Sequence, residues 1–130
     1  TGENMKLTAR HGRLALTLRV LRLGRDLQVI CSGGQAHIGA VAVASPLPPH
    51  AQKTEHHVQL MSLPGHREDM LAARMARHLA DALDCTVCVS AGIHFDCITK
   101  EEIERVLNLA ATLTDRCAAR LKQPAKDCVC

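Results

Sequence analysis

The chain reads as a single α+β domain, a mostly antiparallel sheet of about five strands carrying two amphipathic helices. Three observations predict it. Leu14, Leu16, Leu18 and Val20 alternate with Ala15, Thr17, Arg19 and Leu21, the period of a half-buried strand. Leu71, Met75, Leu79 and Leu83 recur every four residues, which marks one stripe of a helix. Short turn-like segments join the early strands, so neighbours are expected to pair antiparallel.

Taken in order, residues 1–13 are set apart as a leader and the approach to the first strand, with Thr1 to Asn4 a trimmed start or an added remnant. The strand from Leu14 meets a hairpin turn at Leu23-Gly24-Arg25-Asp26-Leu27. The return strand runs from Leu27 to Cys31 and ends at Ser32-Gly33-Gly34. A small apolar strand, His37 to Ala44, stops at Ser45-Pro46-Leu47-Pro48-Pro49, because proline cannot donate to a ladder. A loop with His50, His56 and His57 leads to a short strand, Val58 to Met61, closed by Pro64-Gly65. Arg67 to Leu83 is the first helix, with Glu68 and Asp69 at its positive end. Thr86 to Ala91 is a buried strand that runs into a Gly92-Ile93-His94 turn. Thr99 and Glu102 then form a capping box, each side chain satisfying the other's backbone N–H. The second helix extends to about Leu121 on a stripe of Ile103, Val106, Leu107, Ala110, Leu113 and Cys117, and Pro124 stops it. The predicted order is β-β-β-β-α-β-α over residues 14–121, with 122–130 a flexible tail.

Composition narrows the function classes. At 130 residues, 47% hydrophobic and 22% charged, this is one globular domain. Phe95 is the only aromatic residue, which argues against the base-stacking modules that bind nucleic acid. The net charge of +3 is modest, and Arg10, Arg13, Arg19, Arg22 and Arg25 read as a solvated face. No apolar run reaches the ~18 residues of a membrane span and no signal peptide is visible, so no membrane partner is expected. Seven cysteines, an odd number without an export signal, point to a reduced, cytoplasmic protein. Cys85 and Cys88 are formally a C-x-x-C, but residues three apart on a strand face opposite ways.

Three segments set glycine beside histidine at an element boundary: Gly33-Gly34-Gln35-Ala36-His37-Ile38-Gly39, Pro64-Gly65-His66-Arg67-Glu68-Asp69 and Gly92-Ile93-His94. Glycines at strand ends allow close backbone approach to a ligand. A helix opened by His66-Arg67 offers N–H groups, a dipole and a guanidinium to a phosphate or carboxylate. His37, His66 and His94 could alternatively hold a metal, although no H-x-H or H-x-x-x-H spacing supports it.

These three blocks, in this order and spacing, resemble the small accessory D-subunit family of UbiD-type gallate decarboxylases, the prenylated-flavin chaperone-like (LpdD-like) domain. The resemblance spans roughly Leu14 to Leu121 and is most distinctive at Gly92-Ile93-His94 followed by Ile98-Thr99-Lys100-Glu101. It implies a fold akin to small proteasome-assembly chaperones. It also implies an accessory protein, not an enzyme, that binds prenylated FMN or FMN transiently for a UbiD-like decarboxylase subunit. Carried across, the cofactor-binding residues are Gly33, Gly34, His37, Gly39, His66, Arg67, Asp69, Gly92 and His94. Arg67 suits the phosphate, His37 and His94 the flavin edges, and Ile38 and Ile93 the apolar ring. Two alternatives stay open: a small histidine-dependent enzyme or metal-binding protein, and a pure assembly chaperone without a small ligand. Homo-oligomerisation is also left open.

Overall fold

Alternation along the chain buries every second side chain as expected: Leu14, Leu16, Leu18 and Val20 are inaccessible to solvent or nearly so. The computed structural model describes residues 4–47, 58–65 and 68–122. Its elements are β1 (Asn4–His11), β2 (Leu14–Leu23), β3 (Asp26–Gly34), β4 (Ala40–Ala44), β5 (Val58–Ser62), α1 (Asp69–Leu83), β6 (Val87–His94) and α2 (Lys100–Lys122). The α+β class, the two helices and the mostly antiparallel sheet are as predicted. The sheet has six strands, in the order β1-β2-β3-β6-β4-β5.

The additional strand is β1, which lies inside the stretch read as a leader. Met5, Leu7 and Ala9 alternate with Lys6, Thr8 and Arg10, and Gly12-Arg13 makes a two-residue turn into β2. Leu7 is buried, and His11 pairs with Leu14 across the turn. The signal was present in the sequence but short, with only Met5, Leu7 and Ala9 on its inner face.

Both helices lie on one side of the sheet. α1 packs on β4, β5 and β6, while α2 packs on β1 and β2 and against α1. The core between the layers takes alternate residues of β3 (Leu27, Val29, Cys31), β6 (Val87, Val89, Ala91) and β4 (Ala40, Ala42, Ala44). The alanines of β4 let α1 approach closely, while the leucines of β2 fill the space under α2. Burial pushes the Cys31 thiol up to about 12 and the Cys117 thiol up to about 11, so both behave as small apolar core residues.

One feature of the sheet departs from the simple hairpin order. β6 inserts between β3 and β4, two strands that follow one another in sequence. It pairs parallel to β3, Leu27 opposite Val87 through Gly34 opposite His94, and antiparallel to β4. Gly92, Ile93 and His94 are therefore the last rungs of a strand rather than a turn, and the turn itself is at Asp96-Cys97. The strand predicted from His37 begins only at Ala40, because residues 35–39 must cross from one side of β6 to the other. Their N–H groups mark the crossing: Gln35 donates to His94 O (2.9 Å) and Gly39 to Ala91 O (2.8 Å).

Candidate functional site

The C-terminal end of β6 is where the sequence-predicted residues gather. Gly33 and Gly34 are its parallel neighbours on β3, His37 lies in the crossing segment, and Gly39 joins that segment to β4. Gly92 and His94 are on β6 itself. Asp69 stands apart as the first residue of α1, where its carboxylate accepts the Met70 N–H at 2.9 Å. His66 and Arg67 lie outside the described residues, as do the histidine-bearing loop at 50–57 and the tail from residue 123.

The glycines are occupied by the chain's own backbone. A Cβ on Gly92 would sit 1.5 Å from His37 O, and one on Gly34 (φ +64°) would sit 2.0 Å from His94 O. On Gly33 it would meet the Leu16 side chain at 2.5 Å and the Phe95 ring at 3.3 Å. Gly39 is a hydrogen-bond node, donating to Ala91 O and accepting from Leu63 N–H at 2.9 Å. Their absent side chains thus let the crossing segment pass close over the end of β6. What they build is a rigid frame for the side chains around it.

Those side chains enclose an apolar cleft of about 560 Å³ between the β6 end, the start of α1 and the first turns of α2. Ile93, Phe95, Ile98, Met70, Ile103 and Leu107 supply the apolar wall. The single aromatic residue of the chain is thus at the site, where an aromatic ligand could lie against it. Ile103 and Leu107 belong to the stripe predicted as core, yet they are 43% and 40% exposed because they face this cleft. Ile38, by contrast, is exposed away from it. A second groove, between β5 and α1, is lined by Val58, Leu60, Met70, Ala73, Arg74, Arg77 and His78 and includes none of the predicted residues.

Glu68 is the residue that sequence reasoning passed over. It occupies the N-cap position of α1 without making a side-chain cap. Instead its side chain, 11% exposed, turns under the crossing segment. Oε1 accepts the Ile93 N–H at 3.4 Å and lies 3.3 Å from His37 Nε2. The Ile93 N–H points to the side of β6 where β4 has already ended, so the carboxylate takes the place of the missing rung. Oε2 is buried and, among the described residues, has no hydrogen-bond partner. The available signal was a poor N-cap residue at a helix start, since Ser, Thr, Asp or Asn is the usual choice.

His37 Nδ1 faces Gln35 O at 3.0 Å. A carbonyl only accepts, so the ring's proton in its neutral form is on Nδ1. His94 is more exposed; its Nε2 lies 3.1 Å from Asp96 Oδ1, and it borders a shallow depression with Gln35, Ala36 and His37. Among the described residues no three His, Cys, Asp or Glu side chains cluster as a metal site.

The turn beyond His94 is held from outside. Thr99 Oγ1 accepts the Glu102 N–H and Glu102 Oε1 accepts the Thr99 N–H, both at 3.1 Å, which is the predicted capping box. Arg13, in the β1–β2 turn, donates to both Glu102 oxygens and to Asp96 O, each at 2.9 Å. The Arg13 hydrogen bonds, with help from the Thr99 N–H, hold the Glu102 carboxyl down to about 2, against an ordinary value of 4.5. A depressed carboxyl stabilises the fold above its unfolded value and stops doing so as pH falls through its folded one. The difference in urea midpoint between wild type and Glu102→Gln, which keeps a capping-box side chain, should therefore be full above about pH 4.5 and vanish toward pH 2. A difference that stays constant over that range would mean the charge pair does not anchor the turn.

A family model described as the prenylated flavin chaperone LpdD-like domain matches residues 10–122. No curated protein matches the chain by sequence. Among solved structures, the chain is similar to one in the crystal structure of a chaperone complex for yeast 20S proteasome assembly. There the TM-score is 0.55 at 12% identity, over 92% of this chain and 98% of that one, so the likeness concerns the fold alone. The match of the family model over residues 10–122 places this chain in the prenylated flavin chaperone LpdD-like family.

Proposed function

We propose that the chain holds prenylated FMN, or FMN, transiently in the cleft at the end of β6 and hands it to a UbiD-like decarboxylase of the gallate type. The observation that carries this reading is the cleft itself. Its volume falls within the range of small-molecule sites, roughly 300–1,000 Å³, and it combines an apolar wall with few polar groups. The family supplies the ligand class, since it is a prenylated flavin chaperone family. The prenylated ring would lie against Ile93, Phe95 and Ile103, while His94 at the rim would meet a polar edge. When bound, the flavin supplies the chemistry of decarboxylation to the client; the chain contributes shelter and orientation. A half-open cleft favours this role, because a carrier has to release what it binds. The free thiols at Cys31, Cys85, Cys88, Cys97 and Cys117 favour a cytoplasmic setting.

Titrating prenylated FMN or FMN with the protein and following flavin fluorescence tests the reading. Binding is expected, together with restored activity when the loaded protein is mixed with apo-decarboxylase. His94→Ala should weaken binding about tenfold, the worth of one modest hydrogen bond, with an unchanged melting curve. No binding of either flavin and no rescue would overturn it.

A further inference from the structure

We infer that the cleft orients its ligand through one acceptor, Glu68 Oε2, and that the ligand group facing it is an N–H donor. For a flavin this is the imide N–H of the pyrimidine edge. The inference rests on the flavin reading above and adds to it which edge of the ligand enters first.

His37 Nδ1 spends its proton on Gln35 O, so the approach of Nε2 to Glu68 Oε1 at 3.3 Å is attractive only if one further proton lies between them. That proton sits either on Nε2, giving an imidazolium beside a carboxylate, or on Oε1. In both cases Oε2 carries none. It is an acceptor in either state, and among the described residues nothing donates to it. A buried acceptor left without a donor is costly, and a ligand that brings one recovers that cost on binding.

Glu68 lines the cleft, and the carboxylate is not pinned. Both contacts of Oε1 are long, at 3.3 and 3.4 Å, and the terminal torsion of a glutamate is broad. A modest rotation therefore presents Oε2 to a ligand without breaking a strong bond. Among the described residues, the wall beside Glu68, Leu71 and Ile93 among it, is apolar, and the polar His94 stands at the rim. A ligand entering with an acceptor edge would face the acceptor Oε2. The cleft thus discriminates between the two ends of a flavin-like ring by repulsion as well as by attraction.

The test compares whichever flavin the wild-type protein binds, FMN or prenylated FMN, with its N3-methyl derivative, in wild type and in Glu68→Leu. Fluorescence titration gives the affinities, and protection of Cys97, which also lines the cleft, from iodoacetamide locates the ligand by peptide mass. Wild type should prefer the unmethylated flavin about tenfold to a hundredfold, the range for a hydrogen bond to a charged group. Glu68→Leu should bind the two flavins equally. Equal binding by wild type, with Cys97 protected by both, overturns this inference and leaves the flavin reading intact. Absence of any flavin binding overturns both. If Glu68→Leu does not fold, the wild-type comparison decides alone.

Discussion

Gly92→Ala should be the most damaging small substitution in this domain, costing more than about 3 kcal/mol or preventing folding altogether. The added methyl would lie 1.5 Å from His37 O, with His37 C at 2.3 Å and His37 N at 3.0 Å. All three are backbone atoms, so no rotamer change relieves the clash. The crossing segment is also tied at both ends, by Gln35 N–H to His94 O and by Gly39 N–H to Ala91 O. Lifting it off β6 breaks both bonds and exposes the polar groups they satisfied, at about 1 kcal/mol or more for each. Against a total stability of roughly 5–15 kcal/mol, such a loss shifts a urea midpoint by an unmistakable amount. A Gly92→Ala protein with the wild-type midpoint would show that residues 35–39 do not pass over the strand.

Leu113→Ala is expected to be next in size, at about 2–5 kcal/mol, whereas Leu107→Ala should cost under about 1 kcal/mol. The two leucines occupy one stripe of α2, six residues apart. Leu113 is fully buried between the layers, so truncation removes transfer energy and leaves a cavity. Leu107 is 40% exposed in the wall of the cleft, and its truncation mostly widens an opening that already exists. The pair separates stability from function: Leu107→Ala should weaken flavin binding severalfold while its denaturation curve stays near wild type. Equal destabilisation by the two variants would mean that the cleft is closed and that Leu107 belongs to the core.

That contrast shows where the sequence was legible. Periodicity identified Val106, Ala110, Leu113 and Cys117 as one buried face, and they are buried. It assigned Ile103 and Leu107 to the same face, correctly as geometry, since both project from it. Whether a projecting side chain meets another layer or a cleft depends on how far the sheet extends beneath it. The helix pattern carries no record of that. The capping box, by contrast, was fully legible because all of its partners lie within four residues. Arg13, which reinforces it from 89 residues away, could not be paired with Glu102 from spacing.

Of the residues named in the glycine–histidine blocks, six meet at one end of β6. The role of the glycines was the part that needed coordinates. An unsubstituted Cα in a sequence signals that something approaches closely, without saying whether it is a ligand or another strand. Here the chain's own backbone approaches at both Gly34 and Gly92. Glu68 was hidden for a related reason: a glutamate in the first turn of a helix is commonplace, and only the ending of β4 at Ala40 leaves the Ile93 N–H for it to accept.

By itself, then, the sequence determined the fold class, the kinds of element from β2 onward and the inner face of each. These follow from interactions between neighbours along the chain, whose spacing is written directly in the order of side chains. Only the tertiary structure decided that β6 inserts between β3 and β4, that residues 35–39 cross it over Gly92, and that the Glu68 carboxylate lies beneath the crossing with one oxygen unpartnered among the described residues. Strand order is set by the free energy of packing segments that are more than forty residues apart. Many arrangements share the same periodicity, and they differ in how the layers pack and in which buried polar groups find partners.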